Sequence, residues 1–154
     1  MVQLNETLAR LDTQHRRALE WFKERAGTEQ PWPQPLSDGT LLATRWKGIY
    51  KPAWSKYALS VRQTLGGPYP DREPILRTDG TWSYAYYQED KSLHKRDKAY
   101  TNRALLECQQ DGVPVGVMRQ TRSTNGAKYE ILGLALVNRW KDGYFHLEGF
   151  SRAD

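Results

Sequence analysis

Cysteine is nearly absent from this chain, since Cys108 is the single one among 154 residues. One cysteine excludes an internal disulfide and a zinc site built from several cysteines, and such usage is typical of a reducing intracellular compartment. The three histidines, at positions 15, 94 and 146, lack the short spacing of zinc ligands. We therefore expect no metal ion, no other cofactor and a cytoplasmic location.

Long apolar runs and catalytic motifs are missing as well. No apolar stretch approaches the about 20 residues that cross a bilayer, and the N-terminal MVQLNETLARLD is neither a signal sequence nor a transit peptide. A phosphate-binding loop, a dinucleotide-binding GxGxxG and a nucleophile elbow are absent from the sequence. We expect no membrane partner and no catalytic residue, so the chain is predicted not to be an enzyme by itself.

Positive charge is in excess. The chain has 23 Lys and Arg residues against 18 Asp and Glu residues, which gives a formal net charge of +5. A basic protein favours polyanionic partners such as nucleic acids. The hydrophobic fraction of 38% and the length are typical of one folded domain.

The first third of the chain predicts a helix followed by a linker. Apolar residues recur at helical spacing over residues 4–25, which predicts one amphipathic helix capped by Asn5 or Thr7 and ended by Gly27. We expect this helix to pack on the domain; the alternative is that it forms a dimer contact. Three prolines within residues 28–39 predict a linker. The proposed organisation is therefore a helix (1–27), a Pro-rich linker (28–39) and a main domain (40–154).

The main domain is predicted to be rich in β-strands. Runs of β-branched, aliphatic and aromatic residues, separated by turn signals, predict strands at 41–50, 57–65, 81–87, 113–120, 129–140 and 144–150. Polar turns at 123–126 and 141–143 contain glycine and predict hairpins. Residues 100–110 predict a short helix. The fold class is α+β, mainly β, with an N-terminal amphipathic helix.

Aromatic and basic residues alternate over residues 82–103, WSYAYYQEDKSLHKRDKAYTNR. Aromatic rings stack on bases, and Lys and Arg neutralise phosphates, so this mixture is typical of a nucleic-acid interface. The same pattern also fits a strand with its rings in the core, followed by a solvated charged loop. The pattern alone leaves both interpretations open.

Five segments in order resemble the SRA domain, which reads methylated or hydroxymethylated cytosine in eukaryotic methylation-maintenance proteins and in bacterial modification-dependent restriction enzymes. The segments are Gly48-Ile49 with YALSVRQTLGGPYPD (57–71), WSYAYY (82–87), HKRDKAYTNRALL (94–106), GVPVGVMRQ (112–120) and KYEILGLALVNRWKDGYFHLEGF (128–150). The resemblance implies a crescent-shaped β barrel of the PUA-like kind with flanking helices.

The resemblance also implies a pocket for a cytosine flipped out of the duplex. Tyr69 and Tyr84 would sandwich the base, and Asp71 would accept a hydrogen bond from its amino group. Trp82 and the backbone around Ala85 would complete the pocket.

Contacts to the duplex follow from the same resemblance. The finger residues His94, Lys95 and Arg96 would enter the groove or fill the gap left by the flipped base. The residues expected to bind phosphates are Arg62, Arg72, Lys98 and Arg103.

The expected partner is double-stranded DNA that carries a modified cytosine. In bacterial members of this family the domain targets a restriction nuclease, so a fused or associated HNH nuclease and a homodimer are further expectations. The alternative is a PUA-like or ASCH-like domain that binds RNA or processes a modified nucleoside.

Overall fold

The computed structural model describes residues 3–65, 73–88 and 100–151. These residues form three helices and eight strands. The helices are α1 (Leu4–Ala9), α2 (Thr13–Glu24) and α3 (Tyr100–Asp111). The strands are β1 (Glu29–Gln30), β2 (Ile49–Tyr50), β3 (Ser60–Gln63), β4 (Ile75–Leu76), β5 (Trp82–Tyr87), β6 (Val115–Arg122), β7 (Lys128–Lys141) and β8 (Tyr144–Gly149).

All described strands belong to one mixed sheet, whose main path runs β2-β3-β6-β7-β8-β5-β4, with β1 paired to β7. Strand β3 is parallel to β6, and the other pairs are antiparallel. The long β7 connects the two halves, because it pairs with β6 up to Ala135 and with β8 from Ala135 onward. The described strands thus form an open sheet, and the predicted α+β, mainly β class is confirmed.

Helices cover both faces of this sheet. On one face Leu19 and Phe22 of α2 pack in a cluster with Met118 of β6 and Ile131 of β7. On the other face Leu105 of α3 packs in a second cluster, which includes the side chains of β5. Each face of the sheet therefore carries its own hydrophobic core.

The N-terminal region differs from the predicted single helix. It forms two separate helices, α1 and α2, and residues 10–12 between them are not helical. The cap of α2 is Asp12, whose side chain accepts a hydrogen bond from the backbone N–H of His15 at 2.9 Å. The predicted caps are wrong: α1 has no side-chain cap, and the Thr7 hydroxyl donates instead to the backbone carbonyl of Gln3. An aspartate that satisfies a free N–H starts a new helix at Thr13.

The predicted strand boundaries agree best with the structure where the turn residues between two strands specify them. Both predicted hairpins are confirmed, with left-handed conformations at Asn125, Gly126, Asp142 and Gly143. Of the strand predicted at 41–50, however, the last two residues alone are extended as β2. Strands β1 and β4 were not predicted, because two-residue strands are too short for a periodic pattern.

Within the part of the chain that the structure describes, no helix is long and apolar enough to cross a membrane.

Candidate nucleic-acid interface

Strand β5 carries the tyrosine-rich motif WSYAYY, and its side chains alternate between the two faces of the sheet. Trp82 is fully buried and Tyr84 is 3% exposed, both in the hydrophobic cluster that contains Leu105 of α3. Ala85 points to the opposite face and pairs with His146 of β8. The strand therefore brings Trp82 and Tyr84 together, whereas the Ala85 side chain lies apart from them. The pocket roles of these residues stay predictions.

Strand β6 holds the residues on either side of segment 66–72, which contains two of the predicted pocket residues. Just before it, the backbone N–H of Leu65 donates to Gln120 Oε1 at 3.0 Å. Just after it, a Glu73 carboxylate oxygen accepts from Arg119 Nη2 at 3.0 Å. Because Arg119 and Gln120 are consecutive residues of β6, a single strand holds both flanking residues, Leu65 and Glu73.

The residues that flank segment 89–99, which contains the predicted basic finger, also make defined contacts. Gln88 is fully buried; its backbone N–H donates to the Gly143 carbonyl at 2.8 Å, and its side-chain oxygen accepts from Trp140 Nε1 at 2.9 Å. The residue after the segment is Tyr100, where α3 begins, and Lys47 Nζ lies 5.2 Å from the centre of the Tyr100 ring. The two described residues that flank the finger are therefore held at the β7–β8 hairpin and at α3.

Seven of the predicted site residues lie outside the described residues. They are Tyr69, Asp71, Arg72, His94, Lys95, Arg96 and Lys98.

Arg62, predicted to bind phosphate, makes several contacts inside the protein. Its guanidinium donates to the backbone carbonyls of Thr44 at 3.0 Å and Lys47 at 3.3 Å, and to the hydroxyl of Thr64. These bonds hold the loop that precedes β2. By contrast, Arg103 is exposed on α3. Phosphate binding by either residue stays a prediction.

An aromatic and basic cluster next to this loop was missed by the sequence analysis. The Arg45 guanidinium lies 4.2 Å from the ring centre of Trp32, and that of Arg62 lies 5.4 Å from the same ring. Trp32 also makes an edge-on contact with Tyr129, with ring centres 5.4 Å apart. The signal in the sequence was the tetrapeptide TRWK at 44–47, which lay inside a predicted strand.

A separate cluster of polar side chains joins the C-terminal end of α3 to the segment before β3. The Tyr57 hydroxyl donates to Asp111 Oδ2 at 2.5 Å, and this hydrogen bond lowers the pKa of Asp111. Lys56 Nζ lies 3.5 Å from both Asp111 and Glu107. The cluster borders a cavity of about 250 Å³ that Arg10 of the α1–α2 connection also lines. Its contacts are those of a structural anchor for α3.

Among the described residues, no group of three or more His, Cys, Asp or Glu side chains is placed to hold a metal ion.

No protein-family model and no curated protein matches the chain. Among solved structures, it is similar to the SUVH5 SRA domain in complex with fully methylated CG DNA, with 19% identity, a TM-score of 0.49 and coverage of 82% of this chain and 88% of that one. The SUVH5 SRA complex with hemimethylated CG DNA shares 18% identity, a TM-score of 0.42 and 71% and 75% coverage. KRYPTONITE, in complex with mCHH DNA, an H3(1-15) peptide and SAH, shares 18% identity and a TM-score of 0.49. That match covers 93% of this chain and 39% of KRYPTONITE.

Proposed function

We propose that this chain binds double-stranded DNA that contains 5-methylcytosine or 5-hydroxymethylcytosine and flips the modified base into an aromatic pocket. Tyr69 and Tyr84 hold the base between their rings, and Asp71 accepts from its amino group. Extruding a base costs a few kcal/mol of stacking and pairing. Two aromatic faces, at about 1–3 kcal/mol per stacked base, offset this cost.

The observation that carries the proposal is the placement of the two residues that flank segment 66–72. Leu65, before the segment, is held at Gln120, and Glu73, after it, is held at Arg119. The chain then enters β4, where Ile75 pairs with Ser83, the neighbour of Tyr84. Asp71 precedes Ile75 by four residues, so the chain limits their separation to at most ~14 Å. This connectivity supports a pocket formed jointly by the segment and β5.

The basic finger supports the duplex as the form of DNA that is bound. It connects β5, through Gln88, to α3, so it is continuous with the strand that carries Tyr84. Its HKRDK sequence supplies Lys95, Arg96 and Lys98 close to the proposed pocket strand along the chain. Basic residues that enter a groove beside an extruded base stabilise the gap and neutralise phosphates.

We further propose that the domain targets a modification-dependent restriction system, in which the nuclease activity belongs to another domain or polypeptide. The chain alone should therefore leave a modified duplex intact in the presence of Mg²⁺.

Fluorescence polarisation with three duplexes tests the binding proposal. The duplexes have one sequence and differ at a single cytosine, which is unmodified, 5-methylated or 5-hydroxymethylated, and all are titrated at one fixed salt concentration. We expect tighter binding to a modified duplex. Equal affinity for all three would contradict the proposal, and stronger competition by single-stranded RNA would favour the RNA-binding alternative.

Base flipping requires its own measurement. A 2-aminopurine placed next to the target cytosine should gain fluorescence when the neighbouring base leaves the stack. A modified duplex that binds tightly without this gain would contradict flipping and leave recognition in the groove.

A further inference from the structure

Arg119 lies between two carboxylates that belong to different parts of the chain. Its Nη2 lies 3.0 Å from Glu73 Oε2 and its Nη1 lies 3.5 Å from Glu73 Oε1, so both Nη atoms contact that carboxylate. Its Nε lies 3.8 Å from Oε1 of Glu130, the residue opposite Arg119 in the β6–β7 pair. One guanidinium therefore links Glu73 to two strands in the middle of the sheet.

The three side chains of this ion-pair cluster differ in exposure. The Arg119 side chain is 17% exposed and that of Glu130 is 32% exposed, whereas 82% of the Glu73 side chain is accessible. An exposed ion pair adds little to the stability of a whole fold, because water solvates the separated charges and salt screens them. The contact therefore acts mainly on the position of Glu73, and its removal should leave the domain folded.

Strand pairing does not by itself place Glu73 next to β6. Before segment 66–72, the backbone N–H of Leu65 donates to Gln120 Oε1 at 3.0 Å. After the segment, the chain pairs as β4 with β5, and three strands of the sheet separate β4 from β6. The ion pair with Arg119 therefore fixes Glu73 relative to β6, which the pairing of β4 with β5 leaves open.

The position of Glu73 limits the position of Asp71. Asp71 precedes Glu73 by two residues, so their Cα atoms are at most about 7 Å apart. In the proposed pocket the Asp71 carboxylate accepts from the cytosine amino group, and a binding group has to be held within about 0.5 Å of its productive place. A methyl group on the base can be read only when the base is seated in the pocket. Displacement of Glu73 should therefore lower the preference for modified DNA.

We propose that Arg119 is a positioning residue of the base pocket. By holding Glu73 against β6, it fixes the chain directly after segment 66–72 so that Asp71 meets the flipped cytosine. This inference rests on the proposed function, and it adds to that function a residue outside the pocket that sets the selectivity. Selectivity here is the ratio of the affinities for the modified and the unmodified duplex.

The variant Glu73→Gln tests the positioning role, because it keeps the shape of the side chain and removes its charge. Selectivity should fall by about two- to fivefold, the range that an exposed ion pair contributes. The matched control is Glu148→Gln, which removes the same charge from the Arg77–Glu148 pair, with distances of 3.0 and 3.3 Å between β4 and β8. Glu148→Gln should keep the selectivity of the unsubstituted protein. Full selectivity in Glu73→Gln, at an equal thermal unfolding temperature, would overturn the proposal.

The salt dependence of selectivity separates positioning from a general structural effect. The two duplexes carry the same phosphates, so the release of counterions cancels in the ratio of their affinities. Salt screens an exposed ion pair, so the selectivity of the unsubstituted protein should fall as salt rises, whereas that of Glu73→Gln should stay at its lower value. An equal fall in both proteins would contradict the role of the ion pair.

A double-mutant cycle tests whether Glu73 and Arg119 act as a pair. Arg119→Gln should lower selectivity, and the double variant Glu73→Gln/Arg119→Gln should lose no more than Arg119→Gln does alone. Independent, multiplied losses would mean that the two residues affect binding separately.

Trypsin measures the contact in the absence of DNA, since it cleaves after Arg72, the residue before Glu73. Arg119→Gln leaves the sequence around this bond unchanged and should be cut there faster than the unsubstituted protein and Glu148→Gln. Equal rates of cleavage would overturn the positioning of Glu73 by Arg119.

These measurements distinguish failure of the positioning role from failure of the proposed function. If the unsubstituted protein prefers modified DNA and Glu73→Gln keeps that preference, the positioning role fails and base reading stands. If the unsubstituted protein shows no preference, the proposed function fails, and cleavage after Arg72 still decides whether Arg119 holds Glu73.

Discussion

Gly149 lies directly beneath the indole of Trp82. The two residues pair across β8 and β5, and a Cβ atom at position 149 would stand 1.9 Å from Trp82 Cε2. Contacts that short do not occur in proteins, so a side chain at position 149 and the present position of Trp82 exclude each other. Because Gly149 has no Cβ atom, the Trp82 ring of β5 can pack directly against the backbone of β8.

The substitution Gly149→Ala should destabilise the fold because it overpacks the core beneath Trp82. Such changes cost about 1–3 kcal/mol, and here the clash is with a fully buried ring. For a domain of this size each kcal/mol lowers the melting temperature by about 2–4 °C. In the Trp82→Phe background, Gly149→Ala should reduce the free energy of unfolding by less, because the smaller ring leaves room for the methyl group. If the two substitutions instead lower the free energy of unfolding additively, the close contact is contradicted.

Tyr69→Ala and Lys98→Ala should affect DNA binding in different ways. Tyr69 is proposed to stack on the flipped base, so its loss should weaken binding to modified DNA more than to unmodified DNA. Lys98 is proposed to contact phosphate, so its loss should weaken both to a similar extent and reduce the salt dependence of binding by about one counterion. Polarisation titrations at several salt concentrations measure both effects, and an equal loss of selectivity in the two variants would contradict the pocket assignment.

His15 should make the stability of the fold depend on pH. It is 2% exposed between Trp54 and Tyr57, and among the described residues its Nε2 has no hydrogen-bond partner. Burial lowers the pKa of His15 below its ordinary value of 6.5, although the charge of Asp12 partly opposes the shift. The unfolded chain therefore binds the proton more readily than the folded one, and the free energy of unfolding falls as the pH drops below 6.5 towards the folded pKa.

Urea unfolding above and below pH 6.5 measures this contribution. The unsubstituted protein should lose more stability at the lower pH than His15→Gln, which cannot titrate at that position. Parallel losses in the two proteins would assign the pH dependence to other groups.

Cys108 should be inert in the folded protein. It is fully buried on α3 and its thiol lies 3.4 Å from the Ala58 carbonyl, and burial raises its pKa to about 12. Because the thiolate is the reactive form, a disulfide reagent should modify the native protein far more slowly than the protein unfolded in guanidinium. Equally fast modification in the two conditions would mean that α3 opens readily from the sheet.

Only some features of the proposed site could be predicted from the sequence. Alternation in WSYAYY predicted the strand, and it implies that Tyr84 and Ala85 face opposite sides. Which side faces the hydrophobic cluster beneath α3 depends on the partner β8 and on Gly149, which is distant along the chain. Likewise, phosphate binding by Arg62 was an expectation from the family resemblance, whereas its contacts with the loop before β2 depend on how β3 packs.

The features that could be predicted from the sequence depend on neighbouring residues. The hairpins at Asn125-Gly126 and Asp142-Gly143 follow from residues that tolerate left-handed backbone, and α3 follows from a run of helix formers. Features that depend on contacts between distant segments are set by the packing of the folded chain. The pairing of Glu29 with Glu130 and the exposure of Trp46 on a loop braced by Arg62 both arise only when the sheet has assembled.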